Sequence, residues 1–139
     1  MENDSDTYVL IDEPRPGALS RVVVSPTIVF LASMLVPIFY TLPLWGRLWM
    51  PFAWFAFNGV AMGSATLKRE ILISISGIFT VFAALFGLLF GGEFIGLNPE
   101  LILPYVRLMT TGVIFFFMYW LSFLQQPSFQ LFQYLKEER

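Results

Sequence analysis

Four stretches of this chain, residues 22–46, 48–67, 71–92 and 108–135, contain no Asp, Glu, Lys or Arg, and each is twenty residues or longer. A helix of about 20 apolar residues crosses the roughly 30 Å of hydrocarbon in a bilayer. Inside lipid every backbone amide must find a partner within the protein, which restricts a spanning segment to a helix or a closed barrel strand. Sustained apolar–polar alternation, the mark of a barrel strand, does not occur in these runs. The pattern predicts an all-α membrane protein with four transmembrane helices near residues 22–40, 49–67, 71–90 and 105–124. Composition agrees: of 139 residues 57% are hydrophobic and 13% charged, against about 25% charged in ordinary soluble domains. A water-soluble domain of this size has too little interior to hide so much apolar surface.

Short links join the runs. Residues 41–47, with Pro43 and Gly46, read as one turn, Lys68, Arg69 and Glu70 as a second, and residues 91–98 as a third. Links this short force neighbouring helices to lie antiparallel, as two hairpins. Counting flanking cations orients them. Arg15, Arg21, Lys68, Arg69, Lys136 and Arg139 fall on one side, and only Arg47 and Arg107 on the other. Both termini and the middle link are thereby assigned to the cytoplasmic face of a bacterial-type inner membrane, which requires an even number of spans. Tyr40, Trp45, Trp49 and Tyr105 fall at the outer interface and Tyr119 and Trp120 near the inner one, where amphipathic rings are favoured. Three regions result: an acidic tail at 1–21, a four-helix domain at 22–124 and a cytoplasmic interfacial segment at 125–139. The tail carries Glu2, Asp4, Asp6, Asp12 and Glu13, unlike the basic start of a signal peptide, so the first apolar run is expected to remain as a span.

Several positions stand out. Gly77, Thr80, Ala84, Gly87 and Gly91 recur at three- and four-residue steps, and Gly59 and Gly63 repeat the small-xxx-small spacing that lets helix backbones approach in lipid. These seven are the candidate packing residues. Asn58 is the amide well inside a span; it needs a hydrogen-bond partner there, with Ser74, Ser76, Thr80, Thr110 and Thr111 as candidates. Arg107 either snorkels to the phosphate layer beside Glu93 or Glu100 or binds an anionic group. Tyr8, Val9, Leu10 and Ile11 form an apolar patch in the acidic tail, either solvated or able to dock on a partner. Pro26 and Pro37 are expected to bend the first span. Asn98, Pro99 and Glu100 have the chemistry of a helix start, with a kink near Pro104. After Pro127, Phe129, Leu131, Phe132 and Leu135 at helical spacing predict a short C-terminal amphipathic helix.

The chain has no Cys and no His, removing disulfides and the commonest metal ligand and general base. No carboxylate or basic side chain falls at the centre of the four runs, which argues against proton or ion pumping. No nucleophile, base and orienting group come together, so no catalytic, cofactor-binding or metal-ligating residue is assigned, and no enzyme is expected. The net charge of −2 offers nucleic acid no attraction. The expected partners are the lipid bilayer and either other membrane subunits or further copies of the chain. The reading is a non-catalytic subunit or assembly factor of a membrane complex, with a small channel or solute- or lipid-binding homo-oligomer, or an immunity protein against a membrane-inserting toxin, as alternatives.

Overall fold

The computed structural model describes residues 21–35, 44–96 and 98–137, and over these it is helical, with no strand. The helices are α1 (Pro26–Leu35), α2 (Leu44–Met62), α3 (Leu67–Phe94) and α4 (Pro99–Glu137). α4 packs along α3 and also touches α1 and α2, while α2 lies against α3. Val29 of α1, Phe52 and Phe55 of α2, Val81 of α3 and Met118 and Leu121 of α4 are fully buried and form the core between them. The tail with Tyr8, Val9, Leu10 and Ile11 and the first link with Pro37, Tyr40 and Pro43 lie outside the described residues.

The turn between α2 and α3 differs from its expected place. Lys68, Arg69 and Glu70 are not a turn; they are the first turn of α3, which begins at Leu67. The cause is Gly63, whose φ is 66°, a left-handed conformation that a side chain disfavours by about 1–2 kcal/mol. The amide of Gly63 donates to Val60 O (3.1 Å) and that of Ser64 to Gly59 O (3.0 Å). These paired reverse bonds close a helix with a glycine just beyond its end. Gly63 therefore terminates α2, in place of the helix-packing role its spacing suggests. Gly96 (φ 70°) closes α3 in the same conformation, its amide bonding to Glu93 O at 3.0 Å.

Two prolines also act differently from expectation. Pro26 is the first residue of α1 and is buried; at that position its missing amide hydrogen costs nothing, so it starts the helix without bending it. At the other end, α4 runs without a break through Pro104 and Pro127 to Glu137. The separate C-terminal helix is absent. Pro127 removes one intrahelical bond, and its neighbours Gln125 and Ser128 are tied to other elements, which holds the segment in line with the helix.

Two helices are long and apolar enough to cross a membrane: Leu67–Phe94, of 28 residues, and Glu100–Lys136, of 37. Only 17% and 22% of their most apolar stretches are buried, unlike the core helix of a soluble protein. Large apolar side chains instead face outward: Leu72 is 67% exposed, Phe79 76%, Leu108 72% and Phe123 70%. α2 stops at Met62, short of the expected end at residue 67, and among the described residues α1 is ten residues long.

Candidate functional site

Where α2 turns into α3, six polar side chains, four of them buried and Thr66 and Ser128 half-buried, join in one chain of hydrogen bonds. At one end stands Asn58 of α2, 1% exposed. Its amide pairs with the backbone of Val24, just before α1: Oδ1 accepts from Val24 N (3.0 Å) and Nδ2 donates to Val24 O (2.9 Å). The second Nδ2 hydrogen goes to Gln125 Oε1 on α4, at 3.3 Å. Gln125 is fully buried, and its Nε2 donates both hydrogens, to Phe55 O of α2 (2.8 Å) and Glu70 Oε2 of α3 (2.7 Å). At the far end Glu70, also fully buried, accepts on Oε1 from the hydroxyls of Ser64 (2.5 Å) and Thr66 (2.7 Å). Ser128 Oγ of α4 lies 3.2 Å from Ser64 Oγ.

Taking a carboxylate out of water costs several kcal/mol. Here three donors surround it, and bonds to a charged group contribute about 1.5–3 kcal/mol each. Gly59 makes the seat possible. A Cβ at that position would collide with Glu70 Oε2 and lie 3.0 Å from Gln125 Nε2. So the glycine of α2 admits a carboxylate where its spacing suggested a neighbouring backbone. One turn along α3 from Glu70, Ser74 is 3% exposed and its hydroxyl has no hydrogen-bond partner among the described residues.

The other predicted positions divide. Asn58 finds its partners, but they are Gln125 and the Val24 backbone; Thr80 and Thr110 bond back to their own helices, at Ser76 O (2.8 Å) and Val106 O (2.7 Å). Gly77 is buried against Phe52 of α2, with Phe117 Cδ1 of α4 3.0 Å from where a Cβ would stand. Thr80 and Ala84 are half-buried, whereas Gly87 and Gly91 are exposed with nothing within 4 Å. The stripe therefore packs at one end only, and it is Gly92 that is buried, under Ile102 of α4. Arg107 lies at the opposite end of the bundle from the polar chain, exposed on α4.

No family model, curated protein or solved structure matches this chain.

The polar chain draws on the backbone of Val24 just before α1, on α2, on the turn after it, on α3 and on α4, so it ties the segment leading into α1 to the other three helices. Sequence reasoning missed Glu70, Gln125, Ser64, Thr66 and Ser128. A signal for Glu70 existed: with Ser74, Gly77 and Val81 it completes a 3.6-residue period on the face of α3 that is buried. Chemically the arrangement is saturated. Both amides use every hydrogen they carry, and the hydroxyls of Ser64 and Thr66 donate to the Glu70 carboxylate.

Proposed function

We propose that this chain is an integral membrane protein of four spans, both termini cytoplasmic in a bacterial-type inner membrane, serving as a non-catalytic subunit or assembly factor of a larger membrane complex. One observation carries the reading. The amides of Asn58 and Gln125 and the carboxylate of Glu70 are consumed by one another and by nearby backbone and hydroxyl groups, while the outward surface is apolar and aromatic. Phe82, Phe86 and Phe90 stack along α3 at 6.2 and 6.0 Å with interplanar angles of 18°, and Phe90 is 64% exposed. Rigid aromatic rows supply contact area at low entropic cost, which suits docking against another helix in lipid.

Arg21, Lys68, Arg69 and Lys136 are exposed at the end that holds the polar chain, in keeping with a cytoplasmic face. At 1.5 Å per residue the 39 residues of α4 extend about 58 Å, so its last turns stand in the cytoplasm. A channel lined by Asn58 is disfavoured, because that side chain is 1% exposed and fully bonded.

Extraction in a mild detergent is expected to recover the chain with one or more membrane proteins in fixed stoichiometry. A lone, monodisperse protomer would contradict a subunit role, and a defined homo-oligomer would favour self-association over a larger complex.

A further inference from the structure

At the end opposite the polar chain, α2, α3 and α4 leave an apolar groove of about 330 Å³, walled by Leu48, Phe86, Leu89, Val106 and Ile114. Arg107 lies at its edge. On the other side of the same arginine a shallow cleft runs along α4 to Glu100; Leu103, Arg107 and Thr111 line both depressions. The side chains of Arg107 and Glu100 are exposed, and no ion pair joins them. Seven residues separate them, two turns or about 10 Å along the helix. Each charge is left for an opposite charge from outside.

From this order of groups we infer that the groove binds one zwitterionic phospholipid bearing a primary ammonium. An acyl chain fills the groove beside Ile114, the phosphate meets the guanidinium of Arg107, and the ammonium reaches the carboxylate of Glu100. The sequence apolar, cationic, anionic along α4, from Ile114 through Arg107 to Glu100, is the complement of chain, phosphate and ammonium from membrane interior to water. A guanidinium is the side chain best shaped to hold two phosphate oxygens at once. A lipid with a purely anionic headgroup satisfies Arg107 and meets repulsion at Glu100.

The inference rests on the membrane reading above, and the two fail separately. The full chain in detergent, mixed with phosphatidylethanolamine or phosphatidylglycerol, is examined by native mass spectrometry. Wild type is expected to retain one phosphatidylethanolamine in preference to phosphatidylglycerol. Arg107→Gln should weaken retention of both lipids about tenfold, the scale of one lost charge-assisted bond. Glu100→Gln should erase the preference without weakening phosphatidylglycerol. Neither side chain is bonded to another among the described residues, so both variants are expected to fold, checked by unchanged helical circular dichroism. Equal retention by wild type and Arg107→Gln, or a preference that survives Glu100→Gln, overturns the lipid site. A wild-type chain that washes off membranes in alkaline carbonate overturns the membrane reading itself.

Discussion

Gln125→Leu is expected to lower the unfolding free energy by about 2–4 kcal/mol. The substitution removes one side chain and strands three groups: Glu70 Oε2, Phe55 O and an Asn58 Nδ2 hydrogen all lose the partner they have now. Interhelical bonds within membranes average about 0.6 kcal/mol, whereas bonds to charged groups reach about 1.5–3. The carboxylate bond dominates the sum. Leucine has nearly the shape of glutamine, so the loss reads polar pairing and not volume. Coupling the change with Glu70→Leu isolates that term, because two apolar replacements leave no buried charge and restore part of the stability. Unfolding in mixed micelles, followed by circular dichroism, measures both. A single variant within about 0.5 kcal/mol of wild type, the range of an ordinary surface change, would mean that Gln125 does not hold the carboxylate.

Gly77→Ala and Gly87→Ala should part company although both belong to one sequence stripe. A methyl at residue 77 runs into the ring of Phe52, which is fully buried and edge-on to Phe117 at 6.3 Å, so the ring has nowhere to turn. Overpacking of this kind costs about 1–3 kcal/mol. At residue 87 the methyl meets nothing within 4 Å, and the change is expected to stay within about 0.5 kcal/mol. The same unfolding assay separates them. Equal losses at the two sites would place a second helix over Gly87, where the α2–α3–α4 packing has none.

That contrast shows how much the sequence discloses. The helices are legible because the long uncharged runs lack the apolar–polar alternation of a strand, and the helix start at Pro99 is legible in the cap chemistry of Asn98, whose Oδ1 accepts the Glu100 amide at 3.0 Å. Gly63 was harder. Spacing alone does not separate a glycine that packs from one that turns the chain, and only its positive φ decides. Glu70 was obscured by its company: after Lys68 and Arg69 a third charged residue reads as solvated, yet the earlier turn rotates it onto the buried face of α3. Gln125 and Gln126 beside Pro127 read as a helix break for a similar reason, since local propensity says nothing of a carboxylate 55 residues away that needs a donor.

We propose that these helices cross a bilayer in pairs, with the polar chain at the cytoplasmic end. The absence of native cysteine permits a direct measurement. Single cysteines in place of Ser5, Ala65 and Asn98 are exposed to a membrane-impermeant maleimide in intact cells. Asn98→Cys is expected to label, while Ser5→Cys and Ala65→Cys label only after permeabilisation. Ser5 and Ala65 reporting opposite compartments, or all three reporting the same one, would contradict it.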